Sequence, residues 1–377
     1  MKRVVCLLLL VLILAGCGKT AAPAETTAPA VPVELDIAQV ATETQNIQYY
    51  FMTSDGAVID GNDKYHTKWG DSCLIAFPDG KIMLIDTGMK SFYPLLKEKL
   101  QKLGVSKIDY MVFTHPHNDH AGGLWTTLFE DFQIGHVYHN GEKNANWDKS
   151  APGRHVEDIC AKYNVPATVW EAGNTMDFGN AENPVKMQVL WPTKEAKEEL
   201  SPIGTSASIN CLSLVMRFDY GEHSSLFTGD LYKTRNELTE PGEEQMPGHE
   251  GAEEQLVALY TNGELDVDLL KLPHHGDPST SNSESFLTAV DPEFAVATSF
   301  NPVGDYMSTY KKRGMNAIVF YDRMYGFCHI QSGTDGKIVC KTSRATYPEG
   351  FTGKWNSWEK MSNNEPIPEN IFISKYE

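Results

Sequence analysis

The sequence feature that most constrains this chain is a histidine-rich decapeptide. It reads Thr114-His115-Pro116-His117-Asn118-Asp119-His120-Ala121-Gly122-Gly123. Three of the chain's 12 histidines and one aspartate fall within six of these residues, which is more than a polar loop of satisfied side chains requires. Imidazole and carboxylate groups together suit zinc, and iron and manganese are the alternatives. The decapeptide therefore predicts a metal site.

A predicted strand directly precedes this decapeptide. Lys107 to Phe113 is a short apolar and β-branched run, which is typical of a buried strand. The decapeptide then lies at the carboxyl end of a strand, where α/β proteins place their chemistry. On extended backbone the period of two would send His115 and His117 to one side. Asp119 and His120, which are adjacent, would point apart and serve a second centre.

Three further predicted strands end in chemically active groups. These groups are Asp86, Asp230 and the pair His274-His275. If the strand ends share one edge, Asp230 would bridge two metal ions. Because adjacent side chains of a continuing strand face opposite ways, we expect His275 to bind metal and His274 to donate a hydrogen bond or a proton to substrate. Asp86 is expected to act by orienting a ligand histidine or the loop.

Length and charge bound the class of protein. The chain has 377 residues and 41% hydrophobic content, enough to bury a large core. Its formal net charge is -18, from 32 basic and 50 acidic residues. This balance opposes non-specific attraction to nucleic acid and to anionic lipid. We therefore expect a globular domain with a small-molecule or cell-envelope substrate, and nucleic acid is a possible but less favoured partner.

The first residues indicate export. Lys2 and Arg3 precede an apolar run from Val4 to Leu14, which is too short for a membrane-spanning helix. The run leads into Leu14-Ala15-Gly16-Cys17. This pattern resembles a bacterial lipoprotein signal, and the resemblance implies cleavage before Cys17 and lipidation of that cysteine. It predicts an extracytoplasmic, membrane-anchored lipoprotein of a bacterium.

Composition divides the chain into four predicted parts. Residues 1–17 form the predicted signal with its lipidated cysteine. Residues 18–45 are rich in Ala, Pro, Thr and Glu without apolar period, which predicts a disordered tether. The catalytic domain is predicted over 46–345, and 346–377 as a tail packed on it. Within the domain we expect a helix from Ala121 to Phe129 and a polar connection from Pro192 to Ser208.

Four motifs in order carry a family resemblance. They are Asp86-Thr87-Gly88, His115 to Gly123, Thr228-Gly229-Asp230 and His274-His275-Gly276. Together they resemble the metallo-β-lactamase superfamily over roughly Ile47 to Lys341. The resemblance implies an α+β fold, an αβ/βα four-layer sandwich of two mixed sheets. It also implies hydrolysis at a dinuclear centre of two divalent ions, Zn²⁺ first and Mn²⁺ or Fe²⁺ as alternatives. The metal ligands so implied are listed here: His115, His117, Asp119, His120, Asp230, His275.

One departure from the family pattern narrows the expectation. Many members have a further histidine ligand where this chain reads Ser208-Ile209-Asn210-Cys211-Leu212-Ser213-Leu214. The resemblance is then to the branch that includes competence-protein hydrolase domains and phosphorylcholine esterases, with Asn210 near the missing ligand's place. A different metal shell argues against simple transfer of β-lactamase activity.

The resulting prediction is an exported phosphodiesterase that acts on a phosphorylated or phosphorylcholine-type cell-envelope substrate. Asp119, His274 and Asp86 are its predicted catalytic group. Four aromatic residues are candidates for a wall around a choline-like cation, although each is more simply explained by packing: Trp69, Trp125, Tyr138, Trp147. The alternatives are an extracellular nuclease, a lactonase or β-lactamase, and a binding lipoprotein without catalysis.

Overall fold

The structure is a computed structural model that describes residues 45–52, 70–143, 155–233, 251–298, 309–310, 312–315, 317–321, 328–342 and 371–375. The predicted signal, Cys17, the tether up to residue 44, Trp69, Trp147 and most of the predicted tail lie outside the described residues. Among the described residues, no helix is long and apolar enough to cross a membrane. The five cysteines that are described are buried and form no disulfide bond among the described residues.

The described strands are numbered along the chain. They are β1 (Ile47–Phe51), β2 (Cys73–Ala76), β3 (Ile82–Ile85), β4 (Lys107–Phe113), β5 (Gln133–His139), β6 (Ala167–Val169), β7 (Thr175–Gly179), β8 (Pro184–Trp191), β9 (Val215–Tyr220), β10 (His223–Phe227), β11 (Leu269–Lys271), β12 (Phe294–Ala297), β13 (Ile318–Tyr321), β14 (Cys328–Ser332), β15 (Ile338–Thr342) and β16 (Ile371–Lys375).

The described helices follow the same numbering. They are α1 (Tyr93–Lys102), α2 (Asn118–Ala121), α3 (Leu128–Asp131), α4 (Val156–Tyr163), α5 (Lys194–Leu200), α6 (Ser206–Cys211), α7 (Ala252–Leu259) and α8 (Glu284–Val290). Short 3-10 helices cover Lys90–Phe92, Gly122–Trp125 and His274–Gly276.

The strands form two mixed sheets. The first has the order β16-β15-β14-β1-β2-β3-β4-β5-β6, and the second has the order β13-β12-β11-β10-β9-β8-β7. In the first sheet β3 pairs with β4 in parallel, and in the second β10 pairs with β11 in parallel. Because parallel neighbours end at the same edge, each sheet brings two of the predicted motifs side by side.

Apolar side chains from both sheets form one buried layer. Phe77, directly after β2, stacks on Phe178 of β7 with ring centroids 4.1 Å apart, and Phe51 stacks parallel to Phe227 at 6.0 Å. Helix α1 covers the outer face of the first sheet with buried side chains such as Leu96. Helices α7 and α8 add buried residues to the core of the second sheet. The predicted α+β sandwich of two mixed sheets with flanking helices is confirmed.

Two local predictions were wrong. A helix was expected to begin at Ala121, but α2 already starts at Asn118, so Asp119 and His120 have helical backbone. The segment from Pro192 to Ser208, expected as a connection, contains helix α5 and the start of helix α6. Thr193 and Thr205 cap these helices by accepting hydrogen bonds from Ala196 and Ser208. The helices are too short to show a clear apolar period.

Candidate metal centre

Asp86 holds the histidine-rich loop in place through hydrogen bonds to two of its residues. This fully buried residue follows β3 in the left-handed conformation, with φ 58°. Its Oδ1 accepts the backbone N–H of Thr114 at 2.8 Å, and its Oδ2 accepts the Thr114 hydroxyl at 2.7 Å. Oδ2 also lies 2.8 Å from Nδ1 of His120. Because a carboxylate only accepts, Nδ1 of His120 carries the proton and Nε2 is left as a donor of electrons to metal.

The backbone around Gly88 ties the loop to the same strand end. The backbone N–H and the hydroxyl of Thr87 both donate to the carbonyl of His120, at 2.7 and 2.9 Å. Gly122 donates its N–H to the carbonyl of Gly88 at 3.0 Å. A Cβ on Gly122 would lie 2.3 Å from the backbone nitrogen of Lys90, so the turn requires glycine at this position.

His115 and His117 form one pair of candidate ligands. Nε2 of His115 lies 3.0 Å from Nδ1 of His117. Two nitrogens bound to one tetrahedral zinc ion at its usual distance lie about 3.3 Å apart, so this spacing suits a shared ion. Burial lowers the pKa of both imidazoles, well below the ordinary value for His115, which keeps them neutral as ligands must be. Nε2 of His117 faces the Ser206 hydroxyl of α6 at 3.2 Å.

Asp230 lies between two groups of histidines. It follows β10, and its backbone N–H donates to the Ser213 hydroxyl at 3.0 Å. Its Oδ1 is 3.1 Å from Nε2 of His120. Its Oδ2 is 3.4 Å from Nε2 of His275 and 3.9 Å from Nε2 of His115. A carboxylate in this place can bind ions on both sides.

His275 turns towards the centre and His274 lies beside it. Both have left-handed backbone, with φ 55° and 46°, because β11 has already ended at Lys271. Nε2 of His275 lies 3.3 Å from Oδ2 of Asp119. His274 is more exposed, its Nδ1 is hydrogen-bonded to the Thr280 hydroxyl, and its Nε2 lies 3.8 Å from Oδ2 of Asp230. The two side chains therefore take different directions because the backbone turns at these residues. The expectation that a continuing strand would separate them was wrong.

Asp71 is a residue of the centre that the sequence did not single out. It is buried directly before β2, with its Oδ1 3.1 Å from Nδ1 of His275 and its Oδ2 3.9 Å from Nδ1 of His120. Asp71, His120, Asp230 and His275 each have one nitrogen or oxygen atom of a type that can bind metal, and these four atoms all lie within 4.8 Å of one another. A single Asp after Gly70 has no motif spacing, and only its position before an apolar strand could have drawn attention to it.

The donor set fits divalent metal ions. Nε2 of His120 and Oδ1 of Asp230 are buried and lie 3.1 Å apart, and neither atom has another hydrogen-bond partner among the described residues. Buried polar atoms without partners are costly, and two that converge on one point indicate a ligand there. Nitrogen and oxygen donors from histidine and aspartate are the usual ligands of zinc, iron and manganese. These atoms would hold such ions without rearrangement of the strands.

Charges inside the centre are strongly coupled. Burial alone would lower the pKa of His120 and His275, but the carboxylates of Asp230 and Asp71 raise both pKa values well above the ordinary value, with Asp86 contributing at His120. Burial would raise the pKa of Asp230, but the neighbouring histidines lower it well below its usual range. In the metal-free protein these charges therefore keep the carboxylate of Asp230 ionised and favour the protonated form of both histidines, so a bound ion would displace those protons.

The structure brings together all the predicted site residues, whereas the two described members of the proposed aromatic wall, Trp125 and Tyr138, pack against the hydrophobic core. His115, His117, Asp119, His120, Asp230 and His275 contact one another, and Asp86 lies behind them. Tyr138 is buried against Trp170, with ring centroids 4.0 Å apart, so it packs inside the domain. Asn210 is buried in α6 and its Oδ1 has no hydrogen bond among the described residues.

One curated relative matches over much of the chain. The competence protein ComA of Neisseria gonorrhoeae is 28% identical over 230 residues, which is 61% of this chain. The chain spans only 25% of that relative's length.

Solved structures of similar fold were also found. The metallo-beta-lactamase fold protein YhfI of Bacillus subtilis is 12% identical, with a TM-score of 0.41 over 73% of this chain and 96% of that one. CmlA of Streptomyces venezuelae, a diiron beta-hydroxylase, is 14% identical, with a TM-score of 0.36 over 68% of this chain and 45% of that one.

The family model of the metallo-beta-lactamase superfamily matches residues 70–287. This range is more than half of the chain and contains Asp71 and all of the predicted ligands. The match confirms the resemblance in the motifs and the prediction of a metal-dependent hydrolase at the level of the superfamily. By its family model, its sheets and its ligand set, the chain belongs to the metallo-β-lactamase superfamily.

Proposed function

We propose that this protein is a dinuclear-metal phosphodiesterase that acts on a phosphorylated or phosphorylcholine-type substrate of the cell envelope. The observation that carries the proposal is the position of Asp230. Its Oδ2 lies 3.9 Å from Nε2 of His115 and 3.4 Å from Nε2 of His275, and its Oδ1 lies 3.1 Å from Nε2 of His120. One bridging carboxylate between two histidine groups favours two adjacent ions.

The ligands divide between the two ions. His115, His117 and Asp230 would hold the first ion. Asp119, His120, His275 and Asp230 would hold the second. We propose Zn²⁺ as the resident metal, with Mn²⁺ or Fe²⁺ as alternatives. When bound, divalent ions supply Lewis-acid polarisation of the scissile bond and activation of water.

His274 is the proposed proton donor. Its ring is held by the Thr280 hydroxyl at Nδ1 and by an edge contact with Tyr232 at 4.9 Å. These contacts leave Nε2 directed towards the side of Asp230 that faces the ligands, at 3.8 Å. Burial lowers the pKa of this ring in the metal-free protein, so passing a proton to the leaving oxygen of a phosphodiester requires that the bound anionic substrate raise that pKa.

Nucleic acid is the second candidate substrate. The similarity to a competence protein over 61% of the chain favours it. The net charge of -18 opposes it, because sequence-independent binding to DNA or RNA depends on basic side chains that displace counterions. Phosphodiesters without a polyanionic backbone are therefore preferred.

We also propose that the domain is exported and anchored by lipid on Cys17. The support is the sequence alone: Lys2, Arg3, the apolar run and Leu14-Ala15-Gly16-Cys17. Metabolic labelling with a fatty acid in a bacterial host tests this proposal. Label on the wild-type chain that is absent from Cys17→Ser would support it, whereas equal labelling of both chains would contradict it.

The activity is tested with a panel of substrates. The purified domain, reconstituted with zinc, would be assayed on bis-p-nitrophenyl phosphate, p-nitrophenyl phosphorylcholine, single-stranded DNA and a cephalosporin. His117→Ala removes a ligand, and His136→Ala is the matched control because His136 lies on β5 and bonds to Thr168 outside the centre. We expect chelator-sensitive turnover of a phosphodiester that His117→Ala abolishes and His136→Ala retains.

Each other outcome of the panel has a definite reading. Preference for DNA, with a steep fall as salt rises, would establish the nuclease candidate instead. Turnover of the cephalosporin alone would indicate attack at a carbonyl carbon. A protein that binds two ions and turns over none of these substrates would favour a binding lipoprotein.

A further inference from the structure

We propose that Asp71 is a positioning residue that holds His275 towards the metal centre, and that the buried Lys271 is its permanent counter-charge. This inference rests on the proposed metal-dependent function. It concerns two residues outside the predicted ligand set, one before β2 and one at the end of β11.

Both carboxylate oxygens of Asp71 already have partners. Oδ1 accepts the Thr298 hydroxyl and lies 3.1 Å from Nδ1 of His275. Oδ2 forms an ion pair with Nζ of Lys271. Because the carboxylate accepts from Nδ1, the ring of His275 presents Nε2 to Asp119 and Asp230. Asp71 is therefore occupied as an acceptor and is poorly placed to be a ligand itself.

The backbone of Asp71 is fixed to the loop that carries the other ligands. Its N–H donates to the carbonyl of Asp119 at 3.0 Å, and its carbonyl accepts from Gly88 at 2.7 Å. The side chain is meanwhile held to His275, which belongs to the second sheet. Asp71 thus sets the distance between Asp119 and His275, the two ligands whose atoms are 3.3 Å apart.

Lys271 fixes the charge of this arrangement. Its side chain is buried, and besides Asp71 it donates to the carbonyl of Gly229 at 2.8 Å, with Nζ 3.9 Å from Oδ1 of Asp230. The contact between Asp71 and Nδ1 of His275 matches the contact between Asp86 and Nδ1 of His120. The four carboxylates of Asp71, Asp86, Asp119 and Asp230 would cancel the charge of two divalent ions. The ammonium of Lys271 then adds one positive charge to the loaded centre. A positive centre attracts an anionic substrate such as a phosphodiester.

The test compares Asp71→Asn, Lys271→Met and the double variant with the wild type. Metal affinity is measured by calorimetric titration of the metal-free full-length domain with Zn²⁺, and the ligand field by the visible spectrum after titration with Co²⁺. Asp79→Asn and Lys81→Met are the matched controls, because Asp79 and Lys81 form a partly exposed pair at 3.3 Å in the turn between β2 and β3, at the opposite end of β3 from Asp86.

We expect Asp71→Asn to weaken binding of the second ion by about 10- to 100-fold while two ions still bind, as when a partner that orients a metal ligand is lost. Lys271→Met should lower the urea midpoint, since it leaves a buried carboxylate unpaired, and the double variant should recover the midpoint. The double variant should not recover metal affinity, because the carboxylate on His275 is still missing. A purely structural pair would show both recoveries.

Three results would overturn the inference. Loss of one ion from the stoichiometry of Asp71→Asn would make Asp71 a ligand. Unchanged affinity and an unchanged Co²⁺ spectrum in Asp71→Asn would leave it without a role in positioning, although the proposed function would stand. A wild-type protein that binds no metal would overturn the proposed function together with this inference.

Discussion

Nδ1 of His120 lies 2.8 Å from Oδ2 of Asp86, and neither side chain is exposed to solvent. This pairing fixes the orientation of a predicted ligand from outside the ligand set. The same carboxylate accepts two hydrogen bonds from Thr114, so the strand end and the ligand are held by one group. The position therefore affects both metal binding and the shape of the loop.

Asp86→Asn is expected to reduce metal affinity by about 10- to 100-fold. An amide has one accepting oxygen where the carboxylate has two, so it cannot accept both from the backbone N–H of Thr114 and from Nδ1 of His120, and His120 loses its fixed tautomer. Asparagine tolerates the left-handed backbone at this position, so the effect is not due to strain. Isothermal titration with Zn²⁺ measures it, with Asp291→Asn, at an exposed left-handed site, as the control. Equal affinities in the two variants would refute the role.

Gly122→Ala is expected to destabilise the loop by about 1–3 kcal/mol and to weaken metal binding. The added Cβ would meet backbone atoms of Lys90 and Gly88 at 2.3 and 2.5 Å, which cannot move independently. The control is Gly333→Ala, where the Cβ would meet side-chain oxygens at 3.1 and 3.2 Å that can turn away. Urea unfolding of the metal-free protein measures the difference. Similar midpoints for both variants would contradict the prediction.

Glu253 is expected to contribute a loss of stability as pH rises from about 5 to 8. This buried carboxyl accepts N–H groups of Asn282 and Ser283 at 2.6 and 2.8 Å, yet burial raises its pKa to about 7. Since the folded pKa lies above the unfolded value of 4.5, the folded state keeps a proton that the unfolded chain releases. The loss amounts to about 2 kcal/mol over this range. In Glu253→Gln the free energy of unfolding should change less with pH, and an unchanged slope would count against the assignment.

Acid should destabilise the fold through His223. Its Nε2 lies 3.0 Å from the Tyr49 hydroxyl, and burial lowers its pKa to about 3. The folded pKa lies below the unfolded value of 6.5, so this contribution is present above pH 6.5 and is lost as pH falls towards 3. The expected loss from pH 7 to pH 5 is about 2 kcal/mol. His223→Gln should remove this loss in urea titrations at the two pH values; equal losses in both proteins would place its origin elsewhere.

The clustering of the candidate ligands was predictable because several of them come shortly after an apolar strand. Asp86, His115 and Asp230 follow β3, β4 and β10, and their spacing within motifs marks them even without a structure. The two sheets follow from the same apolar runs. Strand ends on a common edge then imply the metal centre.

Asp71 and Lys271 were not predictable, since their roles depend on contact across the fold. Lys271 lies in a run that indicates a buried strand. A lysine is rarely buried unless it pairs with an opposite charge, and the sequence does not show which residue would pair with it. Asp71 is separated from His275 by 204 positions, and the bond exists only after the sheets pack. The turn at His274 and His275 was not predicted for another reason. Left-handed backbone at a non-glycine residue is rare and has no reliable signal in a single sequence.

The bridging position of Asp230 has a consequence for the lifetime of the protein. His115, His117, Asp119 and His120 follow a strand of the first sheet, whereas Asp230 and His275 follow strands of the second. Bound ions would therefore act as a cross-link between the two halves of the sandwich, and metal affinity would add directly to resistance against unfolding. Scarcity of metal would then expose the domain to proteases, so that the amount of folded protein reports the supply of the ion.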